Sequence, residues 1–492
     1  MTFFIDSQYG CDQNDGLSRQ TAFRTLERIN RLVLHGGDTV LLKAGCTFSG
    51  CLRPQREPDG GVIRFGRYGV GESPQIAAEN SECIDLCDFD CVEIDNLNIT
   101  NAAGIRGIFI HSQKREGPLR HIHVRNCTVH HVNEARDSFA YESGGIICAA
   151  FSDRPSWFED LLLEDNHIYS VCRTGILLTS FWANRPTKLW GKNEYKSDRE
   201  NWWPSKSVVM RGNLIEETGG DGLVIIGTLD ALVEWNTVYR AMTRPVPPCA
   251  NAGIWPQSSN GCVIQYNEVG YCRKPQGCDD AQGFDVDLSC RDTLVQYNYS
   301  HHNEGGFLLL CELEETTDAD NFRGTVVRNN LSVNDGNVKG ELIALVGPVR
   351  GVTIENNTLY ATGCVERVVE VFTGDGKNQA KDVVVRNNVF VSNGRNNEFH
   401  LYNGENFVFQ NNLYWGTHRI PPDSHEGALV EDPQLTQAGM EAAGRRTLAA
   451  YVPQNPRLAR AGACAAYPAP VDLLGRRWDG QPYVGAFMAE TE

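Results

Sequence analysis

The chain has 492 residues, of which 41% are hydrophobic and 9% aromatic, and its formal net charge is −17 at pH 7. This composition can fill a large core, but the length exceeds the roughly 100–200 residues of an ordinary domain. So acidic a surface disfavours nucleic acids and anionic membranes as partners. No run of about 18 apolar residues is present, so we predict no membrane-spanning helix.

The N-terminal residues and the cysteines bear on where the protein works. Residues 1–6 have no basic stretch and only a short apolar run, so they do not resemble a signal peptide. Several of the 17 cysteines, such as Cys148 and Cys311, occupy apolar strand positions, where a thiol behaves as a small hydrophobe. We therefore expect most cysteines to be reduced and the protein to be cytoplasmic.

The first predicted element in chain order is an amphipathic helix over Thr21–Leu34, within an N-terminal segment of residues 1–45. Its apolar residues recur at helical spacing. They are Phe23, Leu26, Ile29, Leu32 and Val33. Since the first coil of a strand stack exposes unpaired backbone groups, we expect this helix to cover that end.

Residues 46–415 contain a repeated unit, in which an apolar residue and two variable residues precede an asparagine. Successive asparagines are 23 to 47 residues apart, and periods of this size indicate a solenoid or propeller. Two earlier units carry Leu97 and Cys127 at the same position. The nine asparagines are Asn166, Asn213, Asn236, Asn267, Asn298, Asn330, Asn357, Asn388 and Asn412.

A second short apolar strand, opened by glycine, precedes each asparagine unit. Two strands per coil, rich in β-branched residues and without helical periodicity, favour stacked β-coils over helix pairs. Stacked asparagines would satisfy turn amides along the stack. We therefore predict an all-β, right-handed parallel β-helix of about 10–12 coils. A tryptophan-rich loop is inserted at residues 181–206, and residues 416–492, where the repeat fades, are predicted to form a C-terminal cap.

Asp285 and Asp287 are unusual because alternation turns both outward from one glycine-opened strand. Aspartate is a poor strand former, and like charges on one face repel. Two residues along a strand span about 6.6–6.8 Å, within the range of about 5–9.5 Å that glycoside hydrolysis requires of two carboxyl groups. In the next coil, the same alternation predicts that Leu309 and Cys311 face inward and Glu312 faces outward. Neighbouring carboxylates also keep one acid protonated near neutral pH.

Residues around this pair are candidates for substrate binding. Trp255 is predicted to stand one coil earlier on the same outward row, where its face could stack on a sugar. Glu304 lies at the mouth of the next coil, before a Gly-Gly pair. Long insertions tend to form the walls of binding grooves. The predicted substrate-binding residues are Trp255, Gln257, His302, Trp202, Trp203 and Asp280.

The opening segment, with Phe4-Ile-Asp-Ser and Cys11-Asp-Gln-Asn-Asp-Gly, resembles the entry segment of the pectate-lyase-like superfamily. The stretch from Gly253-Ile-Trp-Pro to Asn303-Glu-Gly-Gly-Phe is similar to bacterial β-helix glycoside hydrolases of the β-xylosidase and α-L-fucosidase/xylanase types. That resemblance implies a nucleophilic or basic Asp, here Asp285 or Asp287, and an acid Glu from a neighbouring coil, here Glu304. The fold alone implies no activity, since lyases, hydrolases and epimerases share it.

We predict a glycoside hydrolase that cleaves oligo- or polysaccharides and needs no metal or cofactor. One alternative is a calcium-dependent lyase of uronic-acid polymers, with aspartates holding calcium and Lys274 or Arg291 as base. A second alternative is a non-catalytic carbohydrate-binding β-helix. The expected partner is a carbohydrate, and a homo-oligomer is compatible with the sequence. The predicted catalytic residues are Asp285, Asp287, Glu304 and Glu312.

Overall fold

The computed structural model describes residues 1–79, 82–134, 142–183, 185, 202–244, 249–312, 322–362, 367–372, 380–401, 404–418, 425–436, 438 and 443–489. They form two compact units. The first holds the described residues up to Leu232 together with 241–249, and the second holds Val233–Arg240 and the described residues from Ala250 onward. Long parallel sheets build each unit, so the predicted fold class, a right-handed parallel β-helix, is confirmed.

Each complete coil contains three strands, not the two predicted from the sequence. The asparagine unit straddles a corner between two strands, as where Leu294–Gln296 is followed by Tyr299–His301. Only two residues separate these strands, so the sequence pattern runs through the corner without a visible break. The glycine-opened strand forms the third side of the coil.

In the first unit, each side of the coil forms its own parallel sheet. The first sheet contains Thr2–Ile5, Thr39–Lys43, Ile63–Tyr68, Val92–Asp95, Gly117–Arg125, Ser156–Glu164 and Ser205–Arg211, with Thr228–Leu229 beside the last. The second contains Thr47–Ser49, Gln75–Ala78, Asn98–Asn101, Thr128–Val132, His167–Val171 and Leu214–Glu216. The third contains Ile84–Cys87, Arg106–Ser112, Gly144–Ala150, Thr174–Ser180 and Leu223–Ile226.

The second unit repeats this arrangement. Its first sheet contains Leu232–Glu234, Val263–Gln265, Leu294–Gln296, Val326–Arg328, Arg350–Glu355, Lys381–Arg386, Glu405–Gln410 and His425–Glu426. The second contains Thr237–Tyr239, Glu268–Gly270, Tyr299–His301, Leu331–Val333, Thr358–Ala361, Val389–His400 and Leu413–His418. The third contains Ile254–Gln257, Gln282–Val286, Gly306–Cys311, Glu341–Val346 and Arg367–Phe372, and also pairs with the end of Val389–His400. Cys249–Asn251 and Cys278–Asp280 form a separate pair.

The repeated asparagines form the predicted ladder at the corner between the first and second sheets. A residue with left-handed backbone precedes the asparagine, such as Tyr297 with φ 56°. The side-chain carbonyl of Asn298 accepts from the backbone N–H of Asn267 at 2.9 Å, and its amide donates to the carbonyl of Ile264 at 2.9 Å. No ladder asparagine is more than 1% exposed. The ladder therefore satisfies buried corner amides that would otherwise lack partners.

The core of each unit is filled by apolar side chains that repeat from coil to coil. In the first sheet of the second unit, Ile264, Val295, Val327 and Ile354 pair in register and are fully buried. Burying one such side chain contributes about 1.5–3 kcal/mol. Because each coil contributes its own row, stability grows with the number of coils.

The N-terminal helix is shorter than predicted. It spans only Leu26–Asn30, and the side chain of Thr25 caps it by accepting from the N–H of Arg28. Val33–Leu34 instead pairs as a short strand with Gln55–Arg56. A β-branched valine suits a strand better than the last turn of a helix, and this pairing ends the helical stretch.

The C-terminal residues 443–489 include two 3₁₀ helices, Arg445–Tyr451 and Pro456–Arg460. Within the second unit they share a buried apolar cluster with its strands, and the N–H of Gly444 donates to the carboxylate of Glu268 at 2.6 Å. The predicted boundary at residue 415 and the capping role stay predictions.

The described cysteines are mostly free thiols, fourteen in number, whereas Cys249 and Cys278 are disulfide-bonded. In the described part of the chain, no helix is long and apolar enough to cross a membrane. The cytoplasmic location stays a prediction.

Candidate active site

The predicted carboxylate pair lies on the third sheet of the second unit. Asp285 is in the strand Gln282–Val286, Asp287 follows directly after it, and Asp285 pairs with Leu309 of the next coil. Paired residues of a parallel ladder project to the same side. Leu309 and Cys311 therefore face outward with the aspartates, and the inward orientation predicted for them is wrong.

The register explains this correction. The sequence suggests that Gly283 and Gly306, which open their strands, are equivalent, but Gly306 pairs with Gln282. This one-residue offset moves every side chain of the later strand to the opposite face. It also carries Glu312 beyond the end of the strand Gly306–Cys311.

Cys311 lies close to four acidic side chains of this region. Burial raises the pKa of its thiol well above the ordinary value, and four carboxylates raise it further, so the thiol stays protonated. It donates a hydrogen bond to Asp287. The four carboxylates that act on Cys311 belong to Asp287, Asp285, Asp280 and Glu312.

Asp287 is the most perturbed acid of this cluster. Its pKa is raised from the ordinary 3.8 to about 8, chiefly because burial disfavours the carboxylate. A hydrogen bond from the backbone of Leu288 works in the opposite direction, and the charges of Asp280 and Glu312 add to the rise. Asp287 therefore carries a proton at neutral pH, while its side chain is only half-buried and still reachable.

Glu312, which the sequence predicts to face outward as a catalytic candidate, is buried. Its side chain is 1% exposed and accepts the backbone N–H of Ser289 at 2.9 Å. Ser289 belongs to the turn after Asp287 and has a left-handed φ of 59°. Glu312 thus stabilises the turn that holds Asp287 and places a negative charge near it.

Lys339 is a site residue that sequence reasoning missed. Its Nζ lies 2.9 Å from Oε1 of Glu341 and 4.0 Å from Oδ1 of Asp280. Burial disfavours the charged amine, but the carboxylates of Glu341, Asp280 and Asp279 outweigh burial and raise the pKa of Lys339. No local sequence pattern points to Lys339, since coil stacking alone brings it to residues some 60 positions earlier.

Glu304, the acid implied by the family resemblance, is engaged elsewhere. Oε1 accepts from Arg273 at 2.7 Å, and Oε2 accepts from the backbone N–H of Lys274 at 2.6 Å. His302 also lies away from the third sheet, in the turn after Tyr299–His301, where its ring stacks on Tyr271 at 5.2 Å.

Trp255 is placed beside Asp285, since Ile254 pairs with Phe284 in the adjacent strand. The expectation of an exposed ring is nevertheless wrong, because Trp255 is 4% and Gln257 6% exposed. Leu309 on the same outer row is also buried. The outer positions next to Asp285 are therefore covered while Asp287 stays partly exposed, which alternation along a strand cannot predict.

Trp202 and Trp203 belong to the first unit. The indole N–H of Trp202 donates to the carbonyl of Ala183 at 2.8 Å, and Trp203 stacks on Trp157 with ring centroids 5.2 Å apart. Trp203 is 40% exposed. Residues 186–201 of the predicted insertion lie outside the described residues. Substrate binding by these tryptophans stays a prediction.

Among the described residues, the acidic side chains around Asp287 do not bring three ligand atoms close together. Across the described ranges, just one group brings three potential ligand atoms within 4.8 Å of one another, and it consists of Glu93, His121 and His123. Calcium prefers six to eight converging oxygens. The arrangement that the lyase alternative requires of the aspartates is therefore not found among the described residues.

Comparison with known proteins places this geometry in context. No family model matches the sequence. A lacto-N-biosidase of Bifidobacterium longum subsp. longum is 22% identical over 531 aligned residues, which cover 89% of this chain and 32% of the relative. The chain thus spans about a third of the length of the curated relative that it matches.

Two solved structures share the fold. The native GH136 lacto-N-biosidase of Eubacterium ramulus superposes with a TM-score of 0.59 at 23% identity, covering 87% of this chain and 68% of that one. XylC in complex with xylose gives a TM-score of 0.54 at 9% identity, covering 100% and 99%. At these identities the structures establish the fold, and the predicted resemblance to β-helix carbohydrate-active enzymes is confirmed.

Proposed function

We propose that this chain is a glycoside hydrolase that cleaves oligosaccharides with Asp287 as proton donor and Asp285 as the ionised partner. The observation that carries the proposal is the half-buried Asp287, whose pKa is raised to about 8 by burial and by neighbouring carboxylates. A carboxylic acid that keeps its proton near pH 7 is what cleavage of a glycosidic bond requires.

The reaction follows from the two roles. Asp287 transfers its proton to the glycosidic oxygen as the bond from that oxygen to the anomeric carbon breaks. The carboxylate of Asp285 either attacks the anomeric carbon or removes a proton from the water that attacks it. In the first case, water then hydrolyses the glycosyl ester, with Asp287 acting as base. The spacing of about 6.6–6.8 Å between alternate strand residues accommodates either course once side-chain reach is included.

Two neighbours act on Asp287, of which Glu312 raises its pKa while the hydrogen bond from Cys311 lowers it. Glu312 supplies negative charge and fixes the turn through Ser289. The Cys311 thiol donates to Asp287, which orients the carboxyl group. Neither residue needs to contact the sugar, so both are positioning residues.

The substrate proposal rests on the curated relative. Because that relative is a lacto-N-biosidase matched over most of this chain, we propose lacto-N-biosidase activity as the first activity to test. XylC, which binds xylose in its solved structure, makes a β-xyloside the natural comparison.

The lyase alternative gains no support from the basic residues. A lyase needs an unprotonated base, whereas the raised pKa of Lys339 keeps that amine charged. Lys274 is also engaged, since its Nζ donates to the carbonyl of Cys278.

The test is an assay of the purified chain on aryl lacto-N-biosides, aryl β-xylosides and uronic-acid oligosaccharides, with calcium or with EDTA. We expect EDTA-insensitive release of the aryl group that is lost in Asp287→Asn and Asp285→Asn and kept in Glu304→Gln. Calcium-dependent formation of an unsaturated uronate would replace the proposal with a lyase. An active Asp287→Asn variant would remove Asp287 from the mechanism.

A further inference from the structure

Two histidines and two carboxylates meet on the first sheet of the first unit, apart from the proposed active site. Glu93 lies in Val92–Asp95, His121 and His123 in Gly117–Arg125, and Asp160 in Ser156–Glu164. Glu93 and His123 pair directly in register. These strands belong to three successive coils, so the group links them across the sheet.

The distances are those of a compact polar cluster. Nε2 of His121 lies 3.2 Å from Oε1 of Glu93, and Nδ1 of the same ring lies 2.8 Å from Oδ2 of Asp160. Nε2 of His123 lies 3.0 Å from Oδ1 of Asp160. One potential ligand atom from each of Glu93, His121 and His123 lies within 4.8 Å of the other two.

The cluster is partly buried but open to solvent. The side chains of Glu93, His121 and His123 are 17%, 28% and 16% exposed. A cavity of ≈ 520 Å³, lined in part by His121 and Asp160, opens beside them. An ion could enter from this cavity and keep a water molecule as a further ligand.

We propose that Glu93, His121 and His123 bind a divalent transition metal of the zinc type. Imidazole and carboxylate together are the ligand set that zinc takes in proteins, and imidazole also suits copper and nickel. Both ring nitrogens of His121 face carboxylates, so Nε2 can bind a cation together with Glu93 while Nδ1 stays hydrogen-bonded to Asp160. Asp160 then orients the ring through Nδ1, as an outer carboxylate does for a zinc-bound histidine.

A metal at this site would compete with two arginines that already contact the carboxylate of Glu93. Arg64 contacts both oxygens of Glu93, at 3.1 and 3.3 Å, and Arg125 approaches one of them at 3.4 Å. The Arg64 side chain is 50% exposed, and exposed ion pairs of this kind contribute little. A metal can therefore displace Arg64, and removal of Arg64 should strengthen metal binding.

The experiment titrates zinc into the chelator-stripped, untagged chain and follows binding by calorimetry and by thermal unfolding. We expect one saturable site and, at 100 times the Kd, a rise in Tm of about 3–5 °C. His123→Ala should abolish this site, and Asp160→Asn should weaken it by about 10–100-fold. Arg64→Gln should tighten it, and we expect both variants to fold, because the side chains of Arg64 and Asp160 are 50% and 56% exposed.

Two controls separate this site from other zinc ligands of the chain. His130→Ala changes a second histidine cluster on the neighbouring sheet, where His130 contacts His131, and it should leave the affinity unchanged. Cobalt(II) bound at the proposed site should show no sulfur-to-metal charge-transfer band, which a cysteine site would show. Zinc binding that persists in His123→Ala, a thiolate band with cobalt, or no saturable binding to the wild-type chain would each overturn the proposal.

Discussion

Replacement of Asp287 by asparagine should stabilise the folded protein at neutral pH while it removes activity. In the folded chain the pKa of Asp287 is raised from 3.8 to about 8, chiefly by burial. The unfolded chain therefore releases this proton at lower pH than the folded chain does. The stability that the protonated side chain contributes is fully present below about pH 3.8 and is lost as the pH rises towards 8.

The size of the effect follows from the same shift. The difference between pH 7 and the ordinary pKa of 3.8, at 1.36 kcal/mol per pH unit, corresponds to about 4 kcal/mol in the free energy of unfolding. Because the side chain is only half-buried, water screens part of this energy. Asp287→Asn removes the ionisable group but keeps the shape of the side chain. We expect it to raise the free energy of unfolding by about 1–3 kcal/mol at pH 7 and to leave it unchanged at pH 4.

The assay compares urea unfolding of the wild type and Asp287→Asn at pH 4 and pH 7. Asp479→Asn is the matched control, because Asp479 is exposed in the same unit and its substitution should leave both free energies within about 0.5 kcal/mol. If Asp287→Asn destabilises the chain equally at both pH values, Asp287 is ionised in the folded state. The assignment of Asp287 as proton donor would then be refuted.

Three further predictions concern the ladder and the acids around it. Asn298→Ala should lower the free energy of urea unfolding by about 2–4 kcal/mol, since it removes the partners of the Asn267 N–H and the Ile264 carbonyl in the preceding coil, whereas the exposed Asn337→Ala should cost under about 0.5 kcal/mol. Asp335→Asn should raise the free energy of unfolding by about 1–2 kcal/mol at pH 7 but not at pH 4. The reason is that burial raises the pKa of Asp335 to about 6, so the wild type loses stability between pH 3.8 and 6. Equal effects at both pH values would contradict this. Glu304→Gln should change kcat/KM by less than about 3-fold, against a loss of at least about 100-fold for Asp287→Asn, and a comparable loss in both would return Glu304 to the site.

The fold was predictable because the same residue type recurs at the same place in successive coils. An asparagine at the same position of nine repeat units is visible in the sequence, and the structure contains the ladder that these asparagines form. The third strand of each coil was not visible. The corner between the first two strands is made by one left-handed residue, such as Tyr297 or Asn329, and among the ladder asparagines only Asn213 has a glycine, Gly212, in that place.

The site was predictable only in part, for reasons of register. Asp285 and Asp287 stood out because two acids alternate on one strand, and the acidic cluster does form around them. Cys311 was assigned to the wrong face because Gly306 pairs with Gln282 and not with Gly283. Contacts between coils, such as that of Lys339 with Asp280, depend on how the coils stack and leave no local pattern.

The asparagine ladder also has an electrical direction. The side-chain carbonyls of Asn267 and Asn298 each accept from the coil before, so the amide dipoles align head to tail. Aligned dipoles polarise one another and add to a field along the stack, much as peptide dipoles do in a helix. In the first unit this array starts at Asn166, whose carbonyl is met by the backbone N–H of Cys127. A thiol cannot continue the chain of amides, so Cys127 sets the negative pole of the array there.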